Sequence, residues 1–520
     1  MPQKPDIIFI VLDTQRADRL GCYGHKRQLT PNLDRFAKQG VQFMRGIAPA
    51  QWTIPSHASM FTGLYPTAHQ VTQSNHTLSW DEPVLAEQLE AAGYETVAFC
   101  NNPLVGVLDN GFKRGFGRFF NYGGAAPNPY NHFANLPAPL QKGMRFLAAG
   151  LRRVVDPIGD YVGRSDWAFR LSINAWFTPI WSRIANFKGQ NERSTRHITQ
   201  FLQDRESAEN EQPLFLFFNL METHFPFWPP AQYIEQVAPY LLTDPKAQEI
   251  MQRWNREAYR WAAPLAEPLD ELEERVLNDL YDAEVAYQDA YLAQLFAMLE
   301  KRDNAENTLI IIAGDHGDGL GDHDYVGHAF NAYQELVHVP LLMSWPREVP
   351  HAQSAEAPVS TRRVYHTMLE AAGVEWRSSL DEPHLSLLNV LTGDDPEHET
   401  AFAEVYPPLT MINVLRSRQP ELIERFRCLA LKRAIVQRQW KLTHADTDQD
   451  ALFDLHVDTL ELDNLLGRDA VSAETEALDL QLSAFIENAE QQRDGLTAGA
   501  TFELHDERIL QQLRGLGYIE

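Results

Sequence analysis

The chain has 520 residues, with 45 Lys and Arg against 71 Asp and Glu, a formal net charge of −26. A hydrophobic share of 44% excludes a wholly disordered chain, and the acidic balance argues against a general nucleic-acid binder, which needs cations to neutralise phosphates. Three cysteines (Cys22, Cys100 and Cys428) are too few for a disulfide framework or a cysteine-based zinc site, so a reducing compartment is expected.

The first apolar run, Ile7–Leu12, is only six residues long and is closed by Asp13. That is too short for a signal peptide, and no stretch approaches the roughly 18 apolar residues of a membrane span. A cytoplasmic protein without a membrane span is the expectation. Ile7–Leu12 reads as a buried strand, as do Thr96–Cys100, Leu214–Asn219, Leu309–Ala313 and Val339–Ser344. Between them, Pro83–Ala92 (closed by Gly93) and Leu277–Leu299 have helical spacing. Strands alternating with helices predict an α/β fold, a mostly parallel sheet flanked by helices, with ligands beyond the carboxyl ends of the strands. After about residue 385 short strand-like runs (Cys428–Val436, Gln439–Leu442) and a polar helical tail replace this rhythm. The expected organisation is a catalytic domain over 1–385 and a smaller α+β subdomain over 386–520.

Two stretches depart from the average charge. Residues 131–190 hold eight basic and three acidic residues interleaved with Trp167, Phe169, Trp176, Phe177 and Trp181. They read as a helical insertion over the core, or as a lid or interface facing an anionic, lipid-like substrate or a second subunit, and a homo-oligomer is expected. Residues 261–300 hold ten acidic residues and one Arg, and read as a solvated helix face.

The chemistry-bearing residues stand where strands end. Asp13 closes the first strand, in IVLDTQRAD; Asp315 and His316 follow another, in IIIAGDHGDG. Carboxylates with a neighbouring imidazole suit a divalent cation, although any one acid after a strand is usually a helix cap. In QWTIPSHASMFTG, residues 51–63, Thr53 or Ser56 is placed to cap an amphipathic helix. Alternatively Thr53 stands at that helix's N-terminus, where the dipole and a cation would lower its hydroxyl pKa.

At this point the chain resembles the sulfatase family of the alkaline phosphatase superfamily. DTQRADRLGCYGHKRQLTPNLDRFAKQGVQF is similar to the family's opening metal strand, and TIPSHASMFTG to its C-x-P-S-R-x-x-x-x-T-G signature. NLMETHFPFWPP resembles the H-x-P-Y element, and AGDHGDGLGDHDYVGHAFNAYQELVHVPLLM the D-H-G metal element. WKLTHADTDQDALFDLHVDTLELDNLL and LRGLGYIE resemble the family's C-terminal region.

The resemblance implies one divalent metal (Mn, Zn or Ca) held by Asp13, Asp315 and His316 and touched by Thr53 in the nucleophile position. His224 would be the general acid or a charge clamp on the leaving-group side, and His328 falls where the family places a Lys or His that binds the transferred group. His323 is a candidate for a second metal. The Asp-x-x-x-His pair of two-zinc members is absent around His224, so one metal is expected.

The departures redirect the chemistry. Most sulfatases convert a Cys or Ser to formylglycine; this chain has Thr53, which cannot become that aldehyde, so no formylglycine is expected. The family's Arg is His57, the second Asp of its D-D pair is Thr14, and its Lys-Trp-His stretch is Cys100-Asn101-Asn102-Pro103. Asn101, Asn102 and His57 are therefore the candidates for binding substrate oxygens. Relatives in the wider superfamily use an unmodified Thr for phosphoryl transfer. The expected function is a metal-dependent hydrolase of phosphodiesters or phosphonate monoesters, acting on a small anionic ester. The alternatives are a sulfatase with an unmodified Thr, a phospho-group transferase and a non-catalytic metal-binding paralogue.

Overall fold

The computed structural model describes residues 4–123, 130, 188, 190–256, 260–261, 263–349, 352–375 and 384–501. The basic, aromatic stretch lies outside these except for Lys188 and Gln190, as does the terminal LRGLGYIE segment.

The core is a nine-stranded sheet. Its strands in chain order are β1 (Asp6–Leu12), β2 (Val41–Ile47), β3 (Glu95–Cys100), β4 (Arg118–Asn121) and β5 (Leu214–Leu220). After β6 (Ala263–Pro264), which lies outside this sheet, comes β7 (Thr308–Gly314). The short pair β8 (Gly319–Leu320) and β9 (Tyr325–Gly327) joins β6 in a separate three-stranded sheet. The large sheet is completed by β10 (His338–Val339), β11 (Leu341–Ser344) and β12 (Gln353–Ser360). Its order is β10-β2-β11-β7-β1-β5-β3-β4, with β12 beside β2. Every residue of β1 and β5 is buried, which explains why their sequences are continuous apolar runs rather than alternating ones.

β7, β1, β5, β3 and β4 run parallel, so their carboxyl ends share one edge. The expected strand Val339–Ser344 is split: Pro340, which has no N–H for a ladder, separates β10 from β11, and both run antiparallel to β2. The sheet is therefore mixed at that side.

Five helices matter to the site: α1 (Pro31–Lys38), α2 (Thr53–Thr62), α3 (Asn191–Ser207), α4 (Glu271–Leu299) and α5 (Ser472–Gly495). α2 was expected to be amphipathic, yet all ten of its residues are buried. α4 starts at Asp270, whose carboxylate accepts from Glu273 N at 2.8 Å, and Glu271, Glu273 and Glu274 follow in its first turn.

The solvated-face reading of this acidic stretch holds for Glu267, Asp270, Glu271, Glu274 and Glu300, which are exposed, and fails for four acids further along the helix. Asp279, Asp282, Glu284 and Asp289 are buried and neutralised by distant partners. Asp282 meets Arg19 at 3.1 Å and Arg27 at 2.9 Å; Glu284 meets Lys188 at 2.7 Å. Asp289 accepts from the first N–H groups of α1, Asn32 N at 3.1 Å and Leu33 N at 2.8 Å.

Strands β13 (Thr400–Val405), β14 (Lys432–Gln437), β15 (Trp440–Ala445) and β16 (Asp448–Asp454) form a four-stranded antiparallel sheet against which α5 packs. It meets the main body where Lys441 Nζ donates to the Ala332 carbonyl and Gln334 N donates to Glu461, each at 2.5 Å, and Lys441 and Glu461 form a buried pair at 2.7 Å. Among the described residues, no helix is long and apolar enough to cross a membrane.

Candidate active site

The site follows from strand register. Leu12 pairs with Gly314, so the next positions, Asp13 and Asp315–His316, leave the sheet side by side. One carboxylate oxygen from each Asp and one imidazole nitrogen from His316 lie within 4.8 Å of one another, all buried.

Each of these side chains is held from behind. Asp13 Oδ2 accepts from Asn102 Nδ2 at 2.6 Å and Asn219 Nδ2 at 3.2 Å; Asp315 Oδ1 accepts from Thr14 N at 3.1 Å and His316 N at 2.9 Å. The other oxygens, Asp13 Oδ1 and Asp315 Oδ2, accept no hydrogen bond. His316 Nδ1 lies 2.8 Å from the Gly317 carbonyl. That oxygen can only accept, so the proton sits on Nδ1 and the Nε2 lone pair faces the carboxylates. Burial, with each carboxylate opposing the other, pushes Asp13 up to about 7; burial pushes Asp315 up to about 7 as well. Two orphaned buried oxygens and a prepared imidazole are the donor set of a divalent cation. The group fits one.

Thr53 is the first residue of α2, and its hydroxyl lies 3.3 Å from His316 Nε2 and 3.5 Å from Asn102 Nδ2. Trp52, the residue before it, offers no capping side chain, so the leading N–H groups of α2 stay available to an anion. Ser56 Oγ donates to the Asp315 carbonyl at 2.6 Å, fixing the start of α2 against the end of β7.

His57 sits one turn further on. Its Nδ1 is 3.0 Å from the Thr53 carbonyl and its Nε2 3.3 Å from Asn219 Nδ2, so both ring nitrogens are engaged within the protein. Burial pushes its pKa down to about 3, and a neutral ring stands where the family carries an arginine.

The two asparagines after β3 part company. Asn102 caps the short helix Pro103–Gly106, accepting from Leu104 N at 2.8 Å, which aims its NH₂ at Asp13 and Thr53. Asn101 points away, its NH₂ on Ser194 Oγ at 2.8 Å and the Asn219 carbonyl at 2.9 Å. Successive residues of an extended chain face opposite sides, so only one of the pair reaches the site.

The three other histidines near the D-H-G element divide. His224 and His328 approach one another with ring centres 5.1 Å apart, and His328 stands 4.5 Å from His316. Burial pushes His328 down to about 3 and holds His224 well below the usual imidazole range. His323 stacks on Tyr333 at 3.8 Å, with Nδ1 on Glu335 and Nε2 on the Glu461 carbonyl; both its nitrogens are taken. Among the described residues there is one candidate metal cluster.

Asn219 escaped the sequence reading although it touches both Asp13 and His57. It sits at the end of a strand otherwise made of Leu and Phe, and a lone polar residue there was the available signal.

Residues 5–374 match the sulfatase family. The multifunctional alkaline phosphatase superfamily protein PehA of Trinickia caryophylli is 25% identical over 517 residues, covering 90% of this chain and 93% of that protein. The N-acetylglucosamine-6-O-sulfatase of Bacteroides thetaiotaomicron is 22% identical over 515 residues, covering 90% and 83%. The solved phosphonate monoester hydrolase of Silicibacter pomeroyi shares the fold, with a TM-score of 0.64 at 20% identity, covering 96% of this chain and 100% of that one. With residues 5–374 matched by the family and the fold shared, the chain belongs to the sulfatase family, hydrolases of the alkaline phosphatase superfamily whose members similar to it include both sulfatases and phosphonate monoester hydrolases.

Proposed function

We propose that this protein is a metal-dependent hydrolase of phosphodiesters or phosphonate monoesters with Thr53 as its nucleophile. The observation that carries the reading is the placement of the Thr53 hydroxyl at the head of α2, between His316 Nε2 and Asn102 Nδ2 and beside the open oxygens of Asp13 and Asp315. A threonine cannot be oxidised to the aldehyde through which formylglycine expels sulfate by C–O cleavage, so a Thr53 ester must be released by attack on its central atom. Phosphorus accepts such attack in line.

Asp13, Asp315 and His316, with Thr53 alongside, would hold the metal, and their mixed oxygen and nitrogen donors suit Mn or Zn better than Ca. The cation would supply positive charge that lowers the Thr53 hydroxyl pKa and offsets charge on the transferred group. Asn102 and the leading N–H groups of α2 donate to non-bridging oxygens. His224 or His328 protonates the departing oxygen, and the same ring then takes a proton from the attacking water. His57 is neutral where the family carries an arginine, which suits a substrate with one negative charge, a diester or phosphonate monoester, over a phosphate monoester dianion.

A second reading, hydrolysis of sulfate esters by unmodified Thr53, is favoured by the sulfatases among the relatives. Metal-loaded protein assayed on aryl phosphodiester, phosphonate monoester, phosphomonoester and sulfate ester separates the two. The expected result is highest kcat/KM on the first two, a loss of several orders of magnitude in Thr53→Ala, and a phospho-adduct on Thr53 by mass spectrometry. Fastest turnover of the sulfate ester, or an active Thr53→Ala, overturns the proposal.

A further inference from the structure

Thr14 stands in a backbone conformation that its side chain disfavours. It is the third residue of a tight turn over Leu12–Gln15, closed by Gln15 N donating to the Leu12 carbonyl at 3.3 Å. Its φ is +56°, and among the described residues it is the one β-branched residue with a positive φ. Such a position favours glycine or asparagine. A β-branched residue holds it only where the surroundings over-determine it.

Two peptide groups flank the Thr14 Cα, and both are gripped. The one after it is fixed from α4: its carbonyl accepts from Tyr281 Oη at 2.6 Å, and that phenol oxygen in turn accepts from Arg16 N at 2.9 Å. The one before it, between Asp13 and Thr14, carries the N–H that Thr14 donates to Asp315 Oδ1 at 3.1 Å. Turns with positive and with negative φ at the third position differ in the orientation of this central peptide group. Turning it over would relax Thr14 and point the N–H away from Asp315. The oxygen of the same group shows what prevents this. The Asp13 carbonyl accepts from Thr223 Oγ1 at 2.6 Å and from Thr14 Oγ1 at 2.7 Å. Thr223 is fully buried and reaches the turn from the segment after β5, so its grip comes from outside. The Thr14 hydroxyl belongs to the strained residue and moves with it.

We propose that Thr223 is a positioning residue for the metal centre: its hydroxyl holds the Asp13–Thr14 peptide in the strained orientation, which keeps the Thr14 N–H on Asp315 Oδ1 and leaves Asp315 Oδ2 open. This rests on the reading of Asp13, Asp315 and His316 as metal ligands. Asp315 Oδ1 also accepts from His316 N, its neighbour in the chain, at 2.9 Å; Thr14 supplies the restraint from a different strand. The carboxylate is thereby oriented before a cation arrives.

The test is metal affinity, measured by titrating chelator-treated protein with Zn²⁺ and, separately, Mn²⁺, without substrate. Thr223→Val keeps the side-chain shape and loses the hydroxyl, whereas Thr223→Ser keeps the hydroxyl and loses the methyl. Thr223→Val is expected to bind about 10- to 100-fold more weakly than wild type, and Thr223→Ser within about threefold of it. A role in packing alone would reverse that order. In a Thr14→Gly background a positive φ carries no steric penalty, so adding Thr223→Val should cost less than about threefold. As a second readout, independent of metal, Thr14→Gly should unfold at a higher temperature than Thr14→Ala, the reverse of the usual order.

An unaffected Thr223→Val, a Thr223→Ser as impaired as Thr223→Val, an equal loss in the Thr14→Gly background, or an alanine variant more stable than the glycine variant overturns the inference. Should Thr223→Val fail to fold, its rescue by Thr14→Gly supports the inference, and failure in both backgrounds overturns it. Wild type that binds neither ion overturns the metal reading and this inference together; the preceding outcomes, in wild type that binds, overturn the inference alone.

Discussion

The metal cluster makes a prediction about proton linkage that is independent of substrate. Without a cation, two buried carboxyls face each other, each pushed from an ordinary 3.8 to about 7. A carboxyl whose folded pKa is raised binds its proton more tightly in the folded state than in the unfolded one, so stability falls as pH climbs between the two values. About three units at 1.36 kcal/mol each come to roughly 4 kcal/mol for one carboxyl, complete once pH passes about 7. Half of this interval lies above pH 5.5, so chelated protein loses roughly 2 kcal/mol per carboxyl between pH 5.5 and pH 8. Metal-loaded protein escapes the loss, because the cation keeps both groups ionised. The assay is thermal unfolding with and without chelator at both pH values: the drop in Tm caused by chelation should be several degrees larger at pH 8. Asp13→Asn should remove one of the opposed charges, raising the chelated protein's Tm at pH 8 while abolishing its response to metal. A chelation effect equal at both pH values, or an Asp13→Asn protein less stable than chelated wild type at pH 8, would refute the reasoning.

Asn219→Ala removes the amide that braces both Asp13 and His57, and metal affinity should fall about 10- to 100-fold by metal titration; an unchanged affinity would show that Asn102 alone orients Asp13. Lys441→Met strands Glu461 in a buried pocket. The expected cost is about 3–5 kcal/mol in denaturant unfolding, with kcat per folded molecule retained; a cost below about 1 kcal/mol would mean that Glu461 is protonated or solvated there. His323, flanked by Glu335 and the Glu461 carbonyl, is pushed up to about 9. Its raised pKa stabilises the fold fully below the unfolded value near 6.5, and that stability is lost as pH rises through 9. Tm measured from pH 6 to pH 10 should carry an alkaline decline that His323→Gln lacks, and identical profiles would contradict it.

Much of the frame was legible in the residue order. Buried parallel strands leave continuous apolar runs, and the runs at 7–12, 96–100, 214–219 and 309–313 became β1, β3, β5 and β7 within a residue or two. Asp13 and Asp315 stood out because an acid directly after such a run falls at the sheet's carboxyl edge. What was misread had its partner far away in sequence. The acidic stretch at 261–300 looked solvated because Arg19, Arg27, Lys188 and the start of α1, which neutralise its buried acids, lie outside it.

By itself the sequence determined the residue types: carboxylates and histidine at strand ends, Thr53 where the family's formylglycine precursor stands, and His57 in place of its arginine. Those identities restrict the chemistry because they set which atoms can be oxidised, ligate or carry charge. Only the tertiary structure decided which of them meet. Asn101 and Asn102 are indistinguishable in one dimension, yet the pleat sends one to Ser194 and the other to Thr53. The backs of Asp13 and His57 found Asn219 from a separate strand. Distances of about 3 Å between residues hundreds of positions apart are set by packing and register, and no local pattern encodes them.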